Sequence, residues 1–187
     1  MLIDYSFHRL TAHIASAQTA MAGAAIAASA ALACALGEAC VRLNFDVLND
    51  TQREGAEGLA GRLAGVRAEL EVLCDEDGEA ITAFAALRAA GETLRGQERL
   101  CEMPVAMAQL AGEAAVSLQG FRPHIQVARD DLEMAITLLA AAQRAAILLL
   151  DSNLRLWPEP GLLARFEPFL VGLRGQAAEV RPVESVR

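Results

Sequence analysis

Between Ile14 and Gly37 the chain runs for 24 residues without a charged side chain, and that run restricts the folds open to it. From Ala24 to Gly37 it reads AAIAASAALACALG. Alanine gives up the least conformational freedom on entering a helix, so such a stretch predicts helix. It is also long enough to span a bilayer. Its only large apolar residues, however, are Ile14, Met21, Ile26, Leu32 and Leu36, so transfer into lipid is weakly driven. The segment before it, Met1 to Tyr5, carries Asp4 in place of the basic start of a secretory leader. The reading is therefore a helix from Ala22 to Leu48, apolar all round at its start and buried by other helices, with no membrane partner.

The rest of the chain supports the same class. Hydrophobic residues make up 54% and aromatics 4%, so the core must be built from Ala, Leu, Val and Ile. Apolar residues recur at helical spacing in every long segment. Tyr5 to Ser16 forms a first helix capped by Asp4. After the turn at Asn49-Asp50-Thr51, a third helix begins at Gln52 and runs to Glu71, or on to Ala90 if the acidic stretch near Cys74 does not break it. Glu92 to Gln119 is a fourth, kinked or broken at Pro104. Asp131 to Asn153 and Leu162 to Val180 complete the set, leaving Arg181 to Arg187 as a frayed tail. The expectation is one all-α domain over residues 1–187, an up-and-down bundle of long helices. Helices apolar all round need more cover than one small bundle supplies, which predicts a homodimer.

Charge and cysteine usage exclude some functions. The net charge is −8, and the sixteen basic residues, all Arg, form no stripe, so nucleic acid is not an expected partner. Cys34, Cys40, Cys74 and Cys101 have no two-residue spacing, and His8, His13 and His124 lie apart from them in sequence. That pattern predicts free thiols in a reducing cytoplasm and no metal site.

A few residues can carry chemistry. Asp75-Glu76-Asp77 fans around a helix, so the three cannot all face one way. Either this is a solvated acidic turn, or Asp77 points into a cleft as a proton carrier whose pKa burial raises. Asp130 and Asp131 at a helix start read as ordinary capping, or as ligand contacts. Asn153 reads as a C-terminal cap or a polar contact. Gly23 within the Ala-rich helix marks a close approach. Arg144, set in an apolar stretch, must reach solvent, a partner or an anionic ligand.

Taken in order, four segments of residues 5–157 resemble the cyclodeaminase/cyclohydrolase family, which includes the C-terminal domain of formimidoyltransferase-cyclodeaminase and bacterial methenyltetrahydrofolate cyclohydrolases. They are the Ala-rich helix at Ala24 to Gly37, DEDGEAI at Asp75 to Ile81, Met103-Pro104-Val105, and DDLEMAITLLAAAQRAAILLLDSNL at Asp130 to Leu154. The resemblance implies a dimeric helical bundle that acts on a tetrahydrofolate derivative without a prosthetic group. It implies Asp77 as the catalytic proton carrier, with Asp131 and Asn153 placing polar groups of the substrate. Gly23 and Arg144 complete the candidate binding set. The family enters its Ala-rich helix through a Pro-Gly-Gly-Gly-Ser loop, which exposes backbone N–H groups to an anionic ligand; here the matching stretch is Ala20-Met21-Ala22-Gly23-Ala24, with one Gly and no Ser. That departure keeps two other readings open: the same frame serving a different small molecule, or a non-catalytic partner subunit.

Overall fold

The computed structural model describes residues 1–2, 5–19, 21–92, 94–183 and 185, with the backbone alone for residues 94 and 95. Among them are six α-helices and two short 3-10 turns, and no strand. The helices are α1 (Phe7–Ser16), α2 (Ala22–Arg42), α3 (Asp50–Ala89), α4 (Leu94–Phe121), α5 (Arg129–Leu156) and α6 (Pro160–Ala177). Each of α2 to α5 packs on the next, and α2 also packs on α5, so four helices close an up-and-down bundle. Helix α6 covers the α4–α5 seam.

The core depends on small residues. Ala24, Ala27, Ala30 and Ala33 of α2 are completely buried. A Cβ at Gly37 would overlap the Leu118 side chain of α4, so α2 and α4 meet nearly backbone to side chain. With few rings available, Leu63, Leu70, Leu118, Leu132, Leu139 and Leu150 fill the remaining space. Helices α2 and α5 are each long and apolar enough to cross a membrane by length and composition alone; about half of each apolar window, 50% and 56%, is buried inside the fold.

The boundaries differ from the sequence reading in ways that have physical causes. Helix α1 is capped by Ser6, whose Oγ accepts the Arg9 N–H; Asp4, the expected cap, lies outside the described residues. Helix α2 stops at Arg42 rather than Leu48 because Asn44 turns inward. Its Nδ2 donates to the carbonyls of Cys40 and Val127, and its Oδ1 accepts the N–H groups of Gln126 and Val127. All four bonds are made by one fully buried side chain, which clamps the end of α2 to the loop before α5. Nor is α2 buried all round: Ser29, Leu32 and Ala35 are exposed, Leu32 to 58%.

Helix α3 runs unbroken for 40 residues from a capping box of Asn49 and Gln52, and the acidic stretch lies within it. Gly91, at a φ of +78°, supplies the left-handed residue that ends it. Helix α5 opens from Ala128, also left-handed at φ 58°. Helix α6 ends at Ala177 rather than Val180, and Arg181, expected to open a frayed tail, is held in place. Val180 is buried, the Arg181 N–H donates to Gln119 Oε1, and the Arg181 carbonyl accepts from Arg122. Arg122 in turn holds Glu133 through two bonds of 2.7 Å.

Candidate functional site

The first turn of α2 carries N–H groups with no partner inside the helix. The residue before it, Met21, offers no side-chain cap. Asp77 fills that role from α3: its Oδ2 accepts the Ala24 N–H at 2.8 Å. The carboxyl and the helix meet only because residue 23 is glycine, since a Cβ there would fall inside the van der Waals envelope of the Asp77 carboxyl. Two residues singled out from the sequence, Gly23 and Asp77, thus form one contact, and Gly23 is a close-packing position.

Asp77 is 5% exposed. Burial pushes its pKa above the usual carboxylate range, while the Ala24 N–H pulls it partly back. Burial favours the neutral acid and the helix N–H favours the anion. Asp77 therefore holds a proton more tightly than a surface aspartate yet keeps a partner for its anion, as a proton carrier requires. Oδ1 has no hydrogen-bond partner among the described residues.

Asn153 is buried at the far end of α5 and does not cap that helix. Its Nδ2 donates to the Leu100 carbonyl at 2.7 Å. Leu100 lies four residues before Pro104, which has no N–H to give. The Asn153 amide therefore replaces the missing backbone bond, and α4 continues through Pro104 as one helix.

Asp131 and Arg144 are not brought to Asp77. Asp131 is exposed in the first turn of α5, where its charge reaches Cys40 near the end of α2. Ala24 precedes Cys40 by sixteen residues on α2, and at 1.5 Å per residue the separation is about 24 Å. Arg144 is exposed on the outer side of α5, so its charge reaches solvent.

The acidic stretch divides as its helical spacing dictates. Asp77 faces the core, whereas Asp75, Gly78, Glu79 and Thr82 line a cleft of about 850 Å³ on the other side of α3. The loop leading into α2 forms the opposite wall with Ala17, Gln18, Thr19 and Met21, and Tyr5 and His13 close one end. The Leu2 N–H donates to Asp75 Oδ1. Asp75 and Glu79 are four apart and share a helical face, a spacing present in the sequence but masked there by the adjacent Glu76 and Asp77. Asn44 was also missed, because a lone Asn near a helix end reads as an ordinary stop.

Burial holds the four thiols in their protonated form near neutrality. Burial pushes Cys34 up to about 12 and Cys40, Cys74 and Cys101 up to about 11, so the nucleophilic thiolate is scarcely populated.

These contacts can be tested through stability. Asn153→Leu leaves the Leu100 carbonyl buried without a donor, a loss of about 1–3 kcal/mol. In a Pro104→Ala background the backbone N–H restored at that position serves the Leu100 carbonyl, so the same change costs less. Urea unfolding of the four proteins measures a coupling of about 1 kcal/mol or more; additive effects would contradict the repair. Asp77 has a higher pKa folded than unfolded. Its favourable contribution is therefore complete below the unfolded value of 3.8 and is lost as pH rises through the folded value. Wild-type stability relative to Asp77→Asn, which keeps the oxygen acceptor, should fall from acid toward neutral pH in a urea series. Parallel pH profiles would show that Asp77 does not titrate between the two states.

Against known proteins, a family model described as formiminotransferase-cyclodeaminase matches residues 6–166. The match extends from the Ser6 cap of α1 to Phe166 in α6 and includes the whole four-helix bundle. No curated protein matches the chain. The matched span holds the Ala-rich helix, Asp77 on its N-terminus and the Pro104 helix, and on that extent the chain belongs to the formiminotransferase-cyclodeaminase family, a folate-related family of one-carbon chemistry.

Proposed function

We propose that this chain is a folate-type one-carbon enzyme that moves a proton at Asp77, in the manner of a cyclohydrolase or cyclodeaminase. The observation that carries this reading is the Asp77 carboxyl, buried, raised in pKa and held by one oxygen on the Ala24 N–H. Closing or opening a one-carbon bridge on a reduced folate requires a proton to be given to or taken from nitrogen and water. A carboxyl whose two forms are both supported suits that work. The substrate is a small molecule, and no prosthetic group enters the scheme.

The test uses Asp77→Asn, which keeps an acceptor for Ala24 and removes the titrating group. Turnover of methenyl- and formimino-tetrahydrofolate by the wild type should fall by at least about a hundredfold in the variant. Its helical CD and melting should stay near wild type. No turnover by the wild type, or an unaffected variant, would overturn the reading. A second reading, the same frame serving another small molecule, draws support from α2: the first-turn N–H of Ala24, which could meet an anion, already bonds an internal carboxylate.

The working form is a homodimer in this proposal. Helix α5 leaves Met134, Leu138 and Leu148 exposed in a row, Leu148 to 66%, and such a row loses its contact with water when a second copy covers it. Leu148→Glu should convert a dimer to a monomer in light scattering of the eluted protein. A wild-type monomer would refute the dimer.

A further inference from the structure

Gln143, in the middle of α5, is 1% exposed, and its Oε1 is buried without a hydrogen-bond partner among the described residues. A buried polar atom left unpaired is costly and rare. An apolar side chain of the same size would fill the α4–α5 seam without that cost. The amide fits there because residue 112 of α4 is glycine: a Cβ at that position would fall on the Gln143 Nε2 and Cδ.

Gln143 and Gly112 stand in the wall of a cleft of about 360 Å³, together with Glu113, Ser117, Gln176 and Glu179. The wall beyond α6 is held in place: Gln119 Nε2 donates to the Glu179 carbonyl, and Gln119 Oε1 accepts the Arg181 N–H. Among the described lining residues none is basic. Arg174 pairs with Asp151 and Arg122 with Glu133, and neither Arg144 nor Arg181 lines the cleft. Glu113 and Glu179 are both exposed and belong to no ion pair among the described residues.

The cleft thus offers two carboxylates near solvent and one buried amide behind them. The terminal torsion of a glutamine is broad and twofold, so either Oε1 or Nε2 can turn toward an occupant. The carboxylates repel an anion. The space is that of a small-molecule site rather than a bare ion, and among the described residues no three Asp, Glu, His or Cys side chains gather as metal ligands.

We propose that this cleft binds a small organic cation with N–H donors, an aliphatic amine of the diamine class, whose ammonium groups meet Glu113 and Glu179 and donate to Gln143 Oε1. The site is separate from Asp77. Gln143 precedes Asn153 by ten residues of α5, about 15 Å along the helix, and Asn153 lies at the Asp77 end. The inference therefore stands apart from the folate-type reading.

Isothermal titration of the full chain at low ionic strength with 1,4-diaminobutane, tetramethylammonium and calcium tests it. Diaminobutane should bind saturably and raise the melting temperature by mass action. Tetramethylammonium, which has the charge but no N–H, should bind at least about tenfold more weakly, the scale of a hydrogen bond to a charged group. Glu113→Gln combined with Glu179→Gln, both at exposed positions, should cost about tenfold or more in diamine affinity while the free protein melts as the wild type does. Gln143→Leu should also weaken the diamine by about tenfold, and its free form should melt no lower than the wild type, since an unpaired amide gives way to an apolar side chain. Four results would each overturn the proposal: no saturable diamine binding, equal binding of tetramethylammonium, calcium bound at least as tightly as the diamine, or a diamine affinity that the double carboxylate variant leaves unchanged.

Discussion

The contact between the Asp77 carboxyl and the start of α2 organises this end of the molecule. A 21-residue helix made largely of alanine has little side-chain area with which to fix its own position. Its place along the bundle must be set by close contacts at points where no side chain intervenes. One is Gly37 against Leu118. The other is Gly23 against Asp77, where the hydrogen bond to the Ala24 N–H sets both the distance and the rotation of α2 on α3. Either contact would be lost with one added methyl group at the glycine.

Most of the fold was legible in the sequence. Alanine and leucine at helical spacing, without β-branched runs, leave a chain of this kind little but a helical bundle. The turn at Asn49-Asp50-Thr51 marked a real helix start, and Ala90 a real limit of the third helix. What failed depended on long-range bonds. The end of α2 at Arg42 is decided by Asn44 bonding to residues 126 and 127, and nothing local announces that. The docked tail depends in the same way on Arg122 and Gln119. Exposure of the outer face of α2 was misread because alanine gives a helix no polar side by which to tell its wet face from its dry one.

The candidate site was legible in part for a related reason. Gly23 and Asp77 were each notable alone, one as a missing side chain and the other as an acid that could not face outward with both its neighbours. Their pairing needed the fold. Asn153 shows another limit: one N–H of its amide serves the Leu100 carbonyl, freed by Pro104, a structural task that its residue type alone does not announce. Asp131 sits about 24 Å from Ala24 along α2, at the end held by Asn44. Asp131 thus stands apart from Asp77, whereas Asn153 lies at the Asp77 end, where Leu100 and Leu154 share one core cluster with Ala24 and Cys74.

Asp77 consequently has two roles that pull on one proton. As the cap of α2 it is best ionised, because a carboxylate accepts the Ala24 N–H more strongly than a neutral acid. As a buried group it is best neutral. Under the function proposed above, a substrate that takes the proton would strengthen the cap, and one that gives a proton would weaken it and loosen the hold on α2. A change of protonation at Asp77 would thereby be coupled to the position of α2, and through Met21 to the wall of the neighbouring cleft. The loop that leads into α2 can then report the protonation state of a carboxyl it does not itself bind. The coupling follows from placing the acid on a helix start rather than on an isolated wall of a pocket.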